Sequence, residues 1–193
     1  SNTIYVAFKV KETDKDFLKD SSIVIWTTTP WTIPANKALA FNSNIEYAVL
    51  EIDQLEHFKN KKIVVAKNLI ESIAKECEIK NYKLLKVFKG SEFKGTICNH
   101  PFVKMDFDYD VPMLDAQFVN LEQGTGIVHC APSHGPDDFN LCLKNNIPSL
   151  YTVDNSGVYT EEVPYFTNTH VFKADPIVID KLKEQKQLLK NDT

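Results

Sequence analysis

Two stretches of this chain carry residues whose types and spacing could do chemistry. The first is Ile23-Val-Ile-Trp-Thr-Thr-Thr-Pro-Trp-Thr-Ile-Pro-Ala-Asn36. Thr27, Thr28 and Thr29 stand where an apolar, β-branched run meets Pro30, which cannot donate to a sheet ladder. On a strand, Thr27 and Thr29 face one way and Thr28 the other. Three hydroxyls at a strand mouth, closed by two Trp and two Pro, make a rigid polar rim. Such a rim suits a neutral, hydroxyl-rich ligand such as a sugar. The plainer alternative is a threonine-rich strand end whose hydroxyls satisfy nearby backbone.

The second stretch is Gly124-Thr-Gly-Ile-Val-His-Cys-Ala-Pro-Ser-His-Gly-Pro-Asp-Asp-Phe139. It reads as a glycine turn, a strand, a proline-broken loop and a helix start. Pro136 suits the first helical turn. Asp137 and Asp138 then fall where the helix dipole favours carboxylates, which is enough to account for Asp137. The ordinary reading of His129 is a partly buried strand histidine bonded to backbone, and of His134 a loop residue near the cap. A metal site built from His129, His134, Asp138 and Cys130 matches no ligand spacing of the HExxH kind, so no metal is expected. Ser133 with either histidine lacks the G-x-S-x-G elbow of an activated serine. Gly124-Thr-Gly126 lacks the Gly-Lys-Ser/Thr of a phosphate loop.

The elements that must position these residues are mostly short. Strands are predicted at Ile4 to Val10, Ile23 to Trp26, Ala38 to Phe41, Glu46 to Ile52, Lys61 to Ala66, Tyr82 to Phe88, Gly126 to Cys130 and Ser149 to Val153. Lys11 to Asp20 reads as a charged surface loop. Ile97 to Leu121 reads as short strands, because His100-Pro101 and Val111-Pro112 break longer elements. Helical spacing predicts a helix over Asn68 to Ile79, with Asn68 and Glu71 in capping-box positions. A second helix is predicted from Asp137 to Lys144 and a long amphipathic one from Asp175 to Lys190. Many short strands with three inserted helices predict an α+β, β-rich fold, a barrel-like β core decorated by helices. No internal linker divides residues 1–193, so one domain is expected.

The 193 residues are 43% hydrophobic and 25% charged, as in a globular chain. All 22 basic residues are lysine, and the net charge is -4. Without arginine, the usual bidentate reader of phosphate and bases, and with negative net charge, tight non-specific nucleic-acid binding is not expected. Reading one terminal nucleotide is still open. Cys77, Cys98, Cys130 and Cys142 form no CxxC pair and are expected as free thiols. No run approaches the roughly 18 apolar residues of a membrane helix, and a cytoplasmic monomer is expected.

Taken together, WTTTPWTIPAN and, about ninety residues later, GTGIVHCAPSHGPDDF resemble the editing domain of isoleucyl-tRNA synthetases, class I enzymes, in their bacterial or organellar form. The resemblance covers nearly the whole chain, from YVAFKV to VFKAD. The valyl and leucyl relatives typically carry Arg where Thr29 stands here. Ser133 stands where the family often has glycine, and Phe139 where it often has tyrosine.

The resemblance implies a domain of a longer synthetase that hydrolyses mischarged Val-tRNA for isoleucine, and valyl-adenylate as a second substrate. The signatures HIGH and KMSKS are absent, so ATP and magnesium belong to a catalytic domain outside this chain. Its implied partners are the 3′ end of the mischarged tRNA and the rest of the parent synthetase. By resemblance, Asp138 grips the α-ammonium of the misattached amino acid, and His129 lies beside its side chain and sets the size limit. Thr27, Thr28 and Thr29 surround the side-chain pocket, the terminal ribose and the attacking water, with Asn36 near the same site. Thr27, Thr28 and Asp138 are the expected catalytic residues. No protein nucleophile is implied. The competing expectation is a module of the same fold that only binds the tRNA acceptor end.

Overall fold

Strand β1 (Thr3–Glu12) shows why its sequence is apolar at successive positions. Residues Ile4 to Phe8 are all buried, because both faces of the strand are covered. Ile4, Val6 and Phe8 enter one apolar cluster, and Tyr5 and Ala7 enter a second on the opposite face. The same period of two sorts β2 (Ser22–Thr27), β4 (Glu46–Ile52) and β5 (Lys62–Ala66). Ile23, Ile25, Tyr47, Val49 and Val64 join the first cluster; Val24, Ala48, Leu50, Ile63 and Val65 join the second. Each large side chain so buried contributes about 1.5–3 kcal/mol, which makes this sheet the stable platform of the molecule.

The computed structural model describes residues 2–192. The remaining strands are β3 (Ala38–Phe41), β6 (Tyr82–Lys89), β7 (Ile97–Asn99), β8 (Asp110–Asp115), β9 (Val128–Cys130) and β10 (Leu188–Asp192). Among the described residues they form one mixed sheet in the order β6-β4-β5-β2-β1-β7-β8-β3-β9, with β10 also on β1. Only β2 with β5 and β3 with β8 pair in parallel. One edge of β1 pairs with β2; the other pairs first with β10 and then with β7. The register shifts at Tyr5/Val6 and at Val10/Glu12. Such irregularities bend and twist a strand, and here they carry the sheet round from β2 towards β3 and β9.

Helix α1 (Ile70–Glu76) covers the second cluster with Ile73. Helix α3 (Ala174–Glu184) covers the first with Ala174, Val178, Ile179 and Leu182. Helix α2 (Pro136–Lys144) packs Leu141 and Cys142 against Ala38, Ala40 and Cys130. The α+β, β-rich class expected from the pattern is the one observed, and the four cysteines are free and buried.

Four local expectations are corrected. The amphipathic helix stops at Glu184, and Lys186 turns left-handed at φ 58°. Leu188 and Leu189 then bury on opposite faces as strand residues of β10, a period of two inside what reads as a helical pattern. Ser149 to Val153 makes only a bridge from Val153 to Tyr159. Two of its carbonyls are taken instead by side chains, Leu150 O by the Ser133 hydroxyl and Tyr151 O by the Thr160 hydroxyl, while Thr152 O accepts from the Thr160 amide as part of the bridge. Asn68 lies inside a 3-10 turn (Lys67–Leu69) and makes no side-chain cap for α1. Within Lys11 to Asp20, Leu18 is fully buried on a 3-10 turn (Asp16–Leu18), so that loop is anchored to the core.

Candidate active site

The glycine turn before β9 is what aims His129. Thr125 Oγ1 donates to Val24 O at 2.6 Å, and Thr125 O accepts from Ala66 N at 2.8 Å. The buried Tyr47 hydroxyl donates to Gly126 O at 2.6 Å and accepts from Asn42 N at 3.0 Å. Gly126 has φ +82°, and a Cβ there would stand 2.5 Å from Ala66 Cβ, so only glycine fits. This left-handed turn delays the strand to Val128, two residues later than the sequence pattern implies. From there β9 runs antiparallel to β3, with Ala38 opposite Cys130 and Leu39 opposite His129.

The segment leading into β3 is a 3-10 helix (Pro30–Ala35), begun by a proline that needs no donor partner. Its main chain is gripped by distant side chains. The Tyr159 hydroxyl donates to Trp31 O, His100 Nε2–H to Ile33 O at 2.9 Å, and the Tyr109 hydroxyl to Asn36 O at 2.5 Å. Trp31 N–H donates to Asp175 Oδ1, in the first turn of α3, at 3.1 Å.

A hydrogen-bonded circuit joins the two motifs. Thr27 Oγ1 accepts from Thr29 N at 3.1 Å and lies 3.1 Å from Thr29 Oγ1. Thr29 Oγ1 is 3.4 Å from Thr32 Oγ1, which is 2.7 Å from His129 Nε2. On the other side of the ring, His129 Nδ1 is 3.0 Å from Asn36 Nδ2, which also donates to Ala38 O at 3.0 Å. The proton directions follow. An amide nitrogen only donates, so Nδ1 must accept, and the ring proton sits on Nε2 and is given to Thr32 Oγ1. The Thr32 hydroxyl proton goes to Thr29 O at 2.9 Å. Burial pushes His129 down to a pKa of about 4, and His134 adds to the shift. A neutral imidazole with both nitrogens engaged has no lone pair to offer as a base.

Asp138 sits early in α2, and its Oδ2 accepts from Ala131 N, just past β9, at 2.9 Å. Burial raises its pKa, the Ala131 N–H opposes this, and Asp137 adds to the rise. Among the described residues, its second oxygen, Oδ1, makes no hydrogen bond. Thr27 is buried, while Thr28 and Thr29 are exposed; Thr28 makes no bond in the hydroxyl circuit. A cavity of about 250 Å³ opens beside Trp26, Gln123, Gly124 and Val128, and another of about 400 Å³ beside Trp31, His134 and Thr152. Among the described residues, no three His, Cys, Asp or Glu side chains gather as a metal-binding group.

The family model for the leucyl-tRNA synthetase editing domain matches residues 1–191. The chain belongs to that family. This editing domain is 62% identical over 191 residues to the isoleucine–tRNA ligase of Pelagibacter ubique (strain HTCC1062), covering 99% of this chain and 21% of the ligase. It is 41% identical over 198 residues to that of Gluconobacter oxydans (strain 621H), covering 100% of this chain and 21% of the ligase. The chain thus spans about a fifth of the length of the curated relatives it matches. Among solved structures, the P. falciparum cytosolic leucyl-tRNA synthetase editing domain superposes with a TM-score of 0.70 at 12% identity, over 97% of this chain and 98% of that one. The P. knowlesi counterpart gives 0.69 at 10% identity, over 97% and 95%. At such identities the likeness establishes the fold.

The editing domain therefore brings Thr27, Thr29, Asn36 and His129 into one network, with Asp138 tied to the end of the same strand. The sequence reading missed Thr32, the link between the threonines and His129. Its signal was available, since residues three apart eclipse each other on a 3-10 turn, and Thr29 and Thr32 are three apart. His100, Tyr109 and Tyr159 were missed as well. They act through main-chain oxygens, and no motif announces that.

Proposed function

We propose that this domain removes valine from mischarged isoleucine tRNA, acting in the cytoplasm as a monomeric unit within a longer synthetase. The observation that carries the reading is the Thr32–His129–Asn36 circuit, which holds a buried, neutral imidazole by both nitrogens next to a threonine rim; we take this ring as the wall of the filter. A size filter is what the chemistry calls for. One methylene is worth about 1–3 kcal/mol in an apolar pocket, the familiar figure for isoleucine against valine, so an upstream site cannot reject valine cleanly. A second pocket that admits valine and clashes with isoleucine corrects the error.

Asp138 Oδ1 takes the α-ammonium, a charge-assisted contact that fixes the ester relative to the wall. The indole of Trp26 beside the smaller cavity offers a face on which the terminal base of the 3′ end can stack. A water molecule then adds to the ester carbonyl, the bond to the ribose oxygen breaks, and a proton passes from the water to that oxygen. Free valine and the ribose hydroxyl result. The threonine hydroxyls orient the water, and the neighbouring ribose hydroxyl assists. Positioning and hydrogen bonding supply the acceleration, since His129 is occupied as an acceptor. Valyl-adenylate presents the same acyl group to the same wall.

The test is release of valine from Val-tRNA for isoleucine, with Ile-tRNA as control, by the domain and by the longer enzyme. Selective valine release is expected. No release in either setting would leave a module that only binds the acceptor end.

A further inference from the structure

We infer that the loop 100–109 is the positioning device of the size filter, with His100 and Tyr109 as positioning residues that act through main-chain oxygens; the inference rests on the editing function proposed above. The loop springs from paired strands, for Asn99 at the end of β7 lies opposite Asp110 at the start of β8. Its first residue, His100, and its last, Tyr109, each donate into the 3-10 segment, to Ile33 O and Asn36 O. Those oxygens are the ones that matter for the wall. Ile33 follows Thr32, which holds His129 Nε2, and Asn36 itself holds His129 Nδ1.

The donors are themselves fixed. His100 Nδ1 accepts from Phe102 N at 3.0 Å, so the ring proton is on Nε2 and is directed at Ile33 O. The His100 ring stacks on Phe107 at 4.7 Å and meets Tyr109 edge-on at 5.6 Å. Within the loop, Met105 N donates to Phe102 O at 2.8 Å, and Phe102, Met105 and Phe107 are buried. Ile33 O already accepts from Asn36 N at 3.0 Å, closing the 3-10 turn. The His100 bond is a second one on the same oxygen and ties that turn to the sheet. None of these groups belongs to the hydroxyl circuit, and each bears on where its two anchoring residues stand.

Removing the donors while keeping the rings separates this role from core packing. Tyr109→Phe deletes one hydroxyl and keeps the ring, so it carries the test; the pair with His100→Phe deletes both donors, and with them the acceptor of the Phe102 N–H. The ratio of kcat/KM for Val-tRNA to that for Ile-tRNA is expected to fall about three- to tenfold in Tyr109→Phe, the effect of one buried hydrogen bond, and further in the double variant. A lowered melting temperature with an unchanged ratio would overturn the inference and leave the loop as packing only. A second measurement does not depend on activity. In 15N spectra of the imidazole nitrogens, wild-type His129 should show one protonated and one bare nitrogen, and the folded variants should show the two signals averaging. Identical His129 signals in wild type and in folded variants would also overturn it. A wild-type chain that hydrolyses neither ester would instead count against the editing reading, while the spectra still decide on the loop.

Discussion

Asn36 and His129 are 93 positions apart in sequence, yet Asn36 Nδ2 lies 3.0 Å from His129 Nδ1. The amide is committed to donating, because its other proton goes to Ala38 O. That contact fixes the tautomer, and burial keeps the ring uncharged. Asn36→Asp reverses the contact: a carboxylate accepts, and it stabilises a protonated Nδ1. The His129 pKa should move up from about 4 towards and beyond its ordinary 6.5, read by NMR titration. A ring that still titrates near 4 would remove Asn36 from control of the tautomer.

Thr32→Val exchanges the acceptor of the Nε2 proton for a methyl of similar size. It leaves a buried donor unmet, at about 1–3 kcal/mol. The ring should then leave its position and discrimination against isoleucine should weaken, with Thr32→Ser restoring it. His129→Ala removes the wall itself, and hydrolysis of Ile-tRNA should appear. Competition between the two esters measures both, and unchanged selectivity in His129→Ala would take it out of the filter.

Asp138→Ala should abolish deacylation while the fold persists, since α2 keeps its packing through Leu141 and Cys142. Burial raises the Asp138 pKa, so the carboxylate is lost at a higher pH than an ordinary one as the solution is acidified. KM for Val-tRNA should therefore rise with falling pH before the fold fails, and the effect should be missing in Asp138→Asn. A KM limb unaltered in Asp138→Asn would place the ammonium anchor elsewhere.

Acid stability depends on two buried histidines. Burial lowers the pKa of His129 to about 4 and that of His100 to about 3, against an ordinary 6.5. The unfolded chain takes up a proton below 6.5 while the folded chain stays neutral. Their contribution to stability is thus complete above pH 6.5, declines as pH falls towards 4 for His129 and towards 3 for His100, and is then exhausted. For His129 the loss is on the order of 3 kcal/mol. Melting curves from pH 7 to 4 should fall steeply in the wild type and less steeply in His129→Gln. Parallel curves would contradict the assignment.

Much of the fold was legible where one residue faces one environment. The runs at Ile4, Ile23 and Ile63 announce strands, and Pro136-Asp-Asp announces a helix start that the structure places as read. The sequence was ambiguous where a pattern serves two periods, as at Leu188-Leu189, or where side chains compete for backbone, as in Ser149 to Val153. Within the site, the two motifs were legible as motifs. Their junction was not, because it runs through Thr32 and through carbonyl oxygens, and every residue has a carbonyl.

That generality has a consequence for how the pocket can change. Tyr159, His100 and Tyr109 grip Trp31, Ile33 and Asn36 only by their main-chain oxygens. A frame of this kind is indifferent to the side chains it carries. Substitutions along the held segment can retune the mesh for a different amino acid while the scaffold that stiffens it goes untouched. One architecture can then serve separate specificities, each reached by a few exchanges at the rim.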